Sequence, residues 1–355
     1  MNAKKLTTTP AELGFRMPPE WHRHAATWLT WPKDPLTWPE RVPQVEEAYL
    51  EIMAALAPHE LVNLLVDDEA TEASLRARCK FDGRENIRFH RIPTADSWIR
   101  DYGPNFLINE RGELAYNDWI FNAWGDKYDE LKKDDAIPQH LESVLLESLL
   151  NVTRFEPGVV MEGGSIEVNG AGVVMTTEQC LLNPNRNPHL DRGGVEKYLR
   201  DYLGVEKVLW LGEGIVGDDT DGHIDDIARF VAPNVIVCAL EDDPLDANYK
   251  LLRDNHERLL RETDARGAAY RIHTLPMPGL VSGREEEARL PASYANFYIA
   301  NNVVLLPIFG HPNDVRAADK LQHLMPERRV VPINAESLVW GMGTIHCLSQ
   351  QQPAI

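Results

Sequence analysis

The chain has 355 residues, 43% of them hydrophobic, and carries 36 Lys and Arg against 55 Asp and Glu, for a net charge of −19. That composition allows a packed core and excludes an intrinsically disordered chain. The acidic balance argues against nucleic-acid partners, whose phosphates need clustered Lys and Arg, and is compatible with a small cationic substrate.

The first forty residues are dense in Pro and Trp (MPPEW, TWLTWP, PLTWPE). A helix is expected over 44–57, a strand at 61–66, a second helix near 69–79 and a strand at 87–92. From there one pattern recurs: an apolar segment, a tight turn, a second apolar segment, then a helical stretch and a buried strand. The hairpins read NFLIN–ERGE–LAYN, SIEVN–GAG–VVMTT, IARFV–APN–VIVCAL and ANFYIA–NN–VVLLP. Helices are expected after them near 138–150, 191–203, 246–262 and 313–323. The turn markers Gly112, Gly170, Asn234 and Asn302 lie 58, 64 and 68 residues apart. A supersecondary unit repeated every sixty-odd residues suggests modules in a ring or array. Five units fit if the N- and C-terminal segments together complete the remaining one, and residues 1–355 read as a single domain. A doubly wound α/β sheet would instead alternate single strands with helices. No GxGxxG or GxxxxGK[ST] signals a nucleotide.

Cys79, Cys180, Cys238 and Cys347 are scattered, without a CxxC pair. Neither a zinc knuckle nor a disulfide framework is expected, and reduced cysteines in a cytoplasmic setting fit better. The opening MNAKKLTTTPAELGF has no apolar signal-peptide core, and no apolar run approaches the roughly 20 residues of a bilayer span.

Four segments look over-determined for packing: DSWIRDYGP, MEGGS, DDTDGHIDD and GMGTIHCLSQQQP. Asp101 precedes Glu162 by 61 residues, Glu162 precedes His223 by 61, and His223 precedes Cys347 by 124. In a ring of modules, that spacing would bring two carboxylates, a histidine and a thiol to one central pocket. A Cys with a His suits nucleophilic catalysis. Carboxylates around them favour a cation and raise the cost of a thiolate. A planar guanidinium, gripped bidentately, meets both demands and offers its central carbon as the electrophile.

Singly, each residue has an ordinary reading: Cys347 as a small core residue, Glu162 as a turn residue, Asp225 and Asp226 as solvated charge. Trp98 and Trp124 could stack on a guanidinium or alkyl chain or simply fill core. His346 neighbours Cys347 on an expected C-terminal strand, so it should face the other way and serve the thiol poorly. His22 and His24 lack a third ligand, so no metal site is expected.

With DSWIRDYGP, EGGSIEV, LLNPNRNP, GHIDD and the closing GMGTIHC, and with MPPEWHRHAATWLTWP at the start, the chain resembles the agmatine deiminases of the peptidylarginine deiminase superfamily, over about residues 17 to 353. The resemblance implies a pentein, a five-bladed α/β propeller of ββαβ modules with pseudo-fivefold symmetry. It implies hydrolysis of agmatine to N-carbamoylputrescine and ammonia without metal or organic cofactor, through a covalent thiouronium. Cys347 would be the nucleophile and His223 the general acid and base. Asp101 and Asp225 would hold the guanidinium, Glu162 would orient the histidine, and Trp98 would be a pocket wall. Relatives are often dimers or larger, so a homo-oligomer is implied.

Four positions depart from the family pattern. Met342 and Thr344 replace Gly and Asn of the usual GGGNIHC. Asp219 stands where Glu is common, at a position facing the far end of the substrate. His22 replaces an acidic residue. These departures bear on substrate-tail specificity, so a deiminase of peptidyl-arginine stays open, and after it an amidinotransferase. A catalytically inert binding module would not need Cys347 and His223 together.

Overall fold

A computed structural model describes residues 8–148, 152–283 and 289–355. Hairpin turns are set by local chemistry. The Asn109 side-chain oxygen accepts the amides of Arg111 and Glu113, and Asn169 does the same for Ala171 and Val173. Gly112 and Gly170 take left-handed φ of 72° and 66°, which only glycine adopts freely.

Those turns join Asn105–Ile108 to Leu114–Asn117, and Glu167–Val168 to Val173–Thr177. Equivalent pairs are Ala228–Ala232 with Val235–Leu240, and Tyr298–Ile299 with Val303–Ile308. Each second strand leads through a helix to a third strand lying parallel to it: Val152–Phe155, Lys207–Leu211, Arg271–Pro276 and Arg329–Asn334. The connecting helices dock by one stripe. Arg192–Leu203 buries Val195, Leu199 and Leu203; Asp191 accepts the Gly194 amide at its start, and left-handed Gly204 ends it.

The fifth sheet joins the two ends of the chain. Ser349–Pro353 pairs antiparallel with His24–Thr30, which runs parallel to Leu61–Val66, itself parallel to Ile87–Arg91. The chain termini thus complete the remaining unit, as the spacing anticipated. The Pro- and Trp-rich start had suggested no strand, yet TWLT lies in one. Trp28 there is buried, with its indole N–H donated to Gln352 Oε1 at 2.9 Å. All five sheets share an antiparallel pair followed by a parallel strand, and the terminal sheet adds a fourth strand, Ile87–Arg91, which accords with the five-module architecture. Among the described residues no helix is long and apolar enough to cross a membrane.

The motif spacing has a structural cause. Asp101 lies in the helical turn Ile99–Tyr102, Glu162 opens the turn Gly163–Ser165, and His223 opens Ile224–Asp226. Each turn immediately precedes the first strand of a module, as Cys347 precedes Ser349–Pro353.

Trp28→Ala should cost about 3–5 kcal/mol, because it leaves a cavity and strips Gln352 of its donor. Urea unfolding would measure it against Leu245→Ala, at a residue 92% exposed, expected within about 0.5 kcal/mol of wild type.

Candidate active site

The turns carrying Asp101, Glu162, His223, Asp225 and Cys347 converge, and all five side chains are buried. Asp101 and Cys347 line a cavity of ≈ 360 Å³ together with Trp98, Trp124, Asp219 and Met342. Asp225 lies against the sulfur and His223 against Asp101, behind the residues that line the cavity.

Asp101 is oriented by two donors: the Trp124 indole N–H at 2.9 Å on Oδ2 and the Gly164 amide at 2.9 Å on Oδ1. Trp124 belongs to a left-handed turn in which Ala123, Trp124, Gly125 and Asp126 all have φ between 53° and 90°. Such backbone costs roughly 1–2 kcal/mol for each non-glycine residue. The Asn122 side chain, accepting from the Gly125 amide, helps to hold it. Trp124 is therefore both a cavity wall and a hydrogen-bond donor. Trp98, the other wall, donates its indole N–H to Asp96 Oδ2 at 2.9 Å. Burial lifts Asp96 to about 7 against the donors that surround it.

Glycines make the close approaches possible. A Cβ on Gly164 would stand 2.6 Å from His223 Nδ1 and 2.8 Å from Asp101 Oδ1. A Cβ on Gly343 would meet Trp98 at 2.7 Å and Cys347 Sγ at 3.2 Å.

His223 sits with Nδ1 3.7 Å from Asp101 Oδ1, and neither ring nitrogen has a hydrogen-bond partner. Its loop is fixed by Asp218, which accepts the amides of Thr220, Gly222 and His223. Burial opposes its protonation, but Asp101, Cys180 and Glu162 outweigh that and hold it well above the ordinary histidine range. Glu162 makes no hydrogen bond to the ring. Its Oε1 takes Arg186 Nε at 2.6 Å, while Oε2 is unpartnered. Its hold on His223 is therefore electrostatic.

Cys347 Sγ receives Asn296 Nδ2 at 3.2 Å, and its thiol lies 3.6 Å from Asp225 Oδ2. Burial, then Asp225, Asp226 and Asp101, push this thiol well above the usual range. Burial also works against an ionised Asp225, but the His346 hydrogen bond and the charges of His346, His223 and Arg229 keep it below the usual carboxylate range.

One sequence expectation is corrected here. His346 is in a turn before the last strand rather than on the strand, so the alternation of faces does not apply. Its ring joins Asp225 at 2.7 Å to Glu20 at 2.7 Å. Asn296, Arg186 and Glu20 also escaped the sequence reading. Asn296 stands just before the strand Tyr298–Ile299, the fifth equivalent of the other site positions, but off the 61-residue spacing.

Glu162, Cys180 and His223 bring donor atoms within 4.8 Å of one another. The Arg186 guanidinium already balances Glu162 there, so the cluster is a poor seat for a divalent ion. His22 and His24 bond instead to the Ala354 carbonyl, and to Glu60 and the Glu20 carbonyl.

The sequence profile of the Porphyromonas-type peptidyl-arginine deiminases matches residues 16–353. The chain belongs to this family. An agmatine deiminase of Ectopseudomonas mendocina is 39% identical, with 98% of each chain covered. The solved agmatine deiminase of Enterococcus faecalis superposes with a TM-score of 0.90 at 35% identity, over 99% of this chain and 100% of that one. A C. jejuni agmatine deiminase with a Cys-to-Ser substitution and substrate bound gives 0.83 at 30% identity, over 95% and 96%. The resemblance read from the motifs is borne out.

Two departures within this peptidyl-arginine deiminase family member now have physical content. Met342 takes φ 70°, a left-handed conformation that explains the usual glycine there. Thr344 donates its hydroxyl to Asn296 Oδ1 at 2.7 Å, which turns the Asn296 amide nitrogen toward the sulfur.

Gly164→Ala should fold yet lose on the order of 100-fold in kcat/KM through displaced His223 and Asp101; near-normal kinetics would show that the turn has slack. Since the thiol is raised, iodoacetamide should alkylate free Cys347 slowly at pH 7. The rate should climb about tenfold per pH unit past the ordinary thiol value near 8.5. A plateau below that pH would reverse the sign.

Proposed function

We propose that the chain converts agmatine and water to N-carbamoylputrescine and ammonia. The observation that carries this reading is a buried thiol ringed by carboxylates at the floor of a cavity whose mouth is also acidic. Asp101 and Asp225 hold the guanidinium nitrogens and set its carbon over Cys347. The bound cation offsets the carboxylates, so the thiol releases its proton to solvent as the guanidinium seats, while His223 keeps its own.

The sulfur attacks the guanidinium carbon. Protonated His223 then gives its proton to the departing nitrogen, and ammonia leaves. A thiouronium remains on Cys347. Neutral His223 takes a proton from water as it adds to the same carbon, and collapse of that adduct expels the thiolate and leaves the ureido product. Glu162 favours the charged histidine, and Trp98 and Trp124 flank the guanidinium plane.

At the mouth, Asp34, Asp129, Glu130 and Asp219 line the cavity and suit the ammonium tail. Asp219 accepts the Tyr128 hydroxyl and lies 3.5 Å from Lys127 Nζ, so it shares its charge with both. Four unpaired, buried cysteines support a reducing, cytoplasmic setting. The family match across nearly all of the chain supports one domain spanning residues 1–355. A homo-oligomer is part of the same reading, on the family resemblance alone.

Ammonia release should be measured with agmatine, free arginine and a blocked arginine peptide. Agmatine alone should turn over, and Cys347→Ala should lower kcat by about 1,000-fold or more. Turnover of the blocked peptide instead would assign the chain to peptidyl-arginine. Ammonia from none of the three, or wild-type-like turnover by Cys347→Ala, would overturn the reading.

A further inference from the structure

Asp101 and Asp225 are held in different ways. Asp101 has an indole and a backbone amide. Asp225 has one nitrogen donor, His346 Nδ1 at 2.7 Å on Oδ2, and its Oδ1 is unpartnered and buried. The other His346 nitrogen meets Glu20 Oε2 at 2.7 Å. A ring flanked by two carboxylates satisfies both by donating from both nitrogens. Its backbone is pinned as well: the His346 amide donates to Asn296 Oδ1 at 3.0 Å, and its carbonyl accepts from Arg100 Nε at 3.2 Å.

We propose that His346 is a positioning residue, which aims the free oxygen of Asp225 at the guanidinium and keeps that carboxylate charged, while Glu20 holds the ring from behind. This rests on the reading that Asp225 grips the guanidinium.

The groups facing Asp225 fix the direction of the effect. His346, His223 and Arg229 favour its charge; Cys347 stands beside it, and Asp101 and Asp226 repel it. His346 itself faces Glu20, Asp225 and Arg100, with Glu167 close enough to feel its charge. Without the His346 donor, burial and the two neighbouring aspartates push Asp225 upward. It then takes up a proton as pH falls, at a higher pH than in wild type. Grip on the cation is therefore lost first on the acid side and recovered on the alkaline side.

The test compares His346→Asn with His346→Gln. The Asn amide nitrogen replaces Nδ1, which faces Asp225; the Gln amide nitrogen replaces Nε2, which faces Glu20. Both variants are first checked for cooperative thermal unfolding. Cys347 alkylation is then timed with 2-chloroacetamidine, a small amidinium, and with neutral iodoacetamide across pH. The ratio of the two rates reports carboxylate grip without reference to any substrate. In His346→Gln it should fall about 10- to 100-fold, the scale of one hydrogen bond to a charged group, with the acid limb moved to higher pH. His346→Asn should keep most of it. With agmatine the loss should fall on KM more than on kcat.

An unchanged ratio in both folded variants would overturn the proposal. So would an equal loss in both at every pH, which is the mark of mere packing. If neither variant folds, Glu20→Gln, which replaces the charge behind the ring with a neutral amide, must lower the ratio, and a wild-type value there would also overturn it. Wild type that prefers the amidinium but ignores agmatine would sink the substrate reading and leave this one standing.

Discussion

The Glu20 carboxylate draws its partners from far along the chain and is fully engaged. Oε1 takes Arg229 Nη2 at 2.8 Å and the Ile299 amide at 2.7 Å; Oε2 takes His346 at 2.7 Å and Arg100 Nη2 at 3.4 Å. Arg229 and Ile299 lie in the strands Ala228–Ala232 and Tyr298–Ile299, Arg100 in the turn Ile99–Tyr102 and His346 in the closing turn, while Glu20 itself leads into His24–Thr30. Arg229 carries the network on to Glu167 in the strand Glu167–Val168, with Nε 2.9 Å from Oε2. A buried carboxylate is costly unless every lone pair is used. This one is used by parts of the chain that approach each other only when all five modules are in place. Hydrophobic burial supplies the bulk of the folding free energy, but it is non-directional; the Glu20 network fixes which modules meet and in what register.

The same network reaches the reacting atoms in two steps, through His346 to Asp225 and through Arg100 to the backbone of Cys347. The Arg100 amide donates to the Cys347 carbonyl at 3.3 Å. Strain is placed nearby as well, in the left-handed turn that aims Trp124 at Asp101 and at left-handed Met342, which lines the cavity with Cys347. Each is a conformation that isolated residues avoid, and each persists because rigid neighbours over-determine it.

The hairpins were legible because turn chemistry is local: Asn109, Asn169, Gly112 and Gly170 act within a few residues of themselves. The convergence of Asp101, Glu162, His223 and Cys347 was legible because modular repetition converts spatial equivalence into sequence spacing. The strand at His24–Thr30 was hidden, since one of its two partners lies more than 300 residues away and its Trp-rich composition suits several structures. The alternation rule fails at His346 because the residue lies in a turn, although its ring bonds to Asp225 and Glu20 rather than to the thiol. Asn296 lay off the spacing, and Arg186 and Glu20 act through long-range ion pairs that leave no local periodicity.

The electrostatics of the pocket place the chemistry under the control of its ligand. A catalytic thiol is commonly activated by a cation beside it, but here the immediate neighbours of Cys347 are carboxylates and an amide. They hold the resting sulfur protonated, and a neutral thiol is both a weak nucleophile and a slow target for oxidation. On the proposed reading, a guanidinium held by Asp101 and Asp225 reverses the sign of the local field. The thiolate is then favoured in the one circumstance in which an electrophilic carbon is already seated above it. Neutral ligands of similar shape supply no such charge. Selectivity for a cation is thus built into the activation step as well as into the binding step, and the raised thiol is a requirement of this mechanism rather than an obstacle to it.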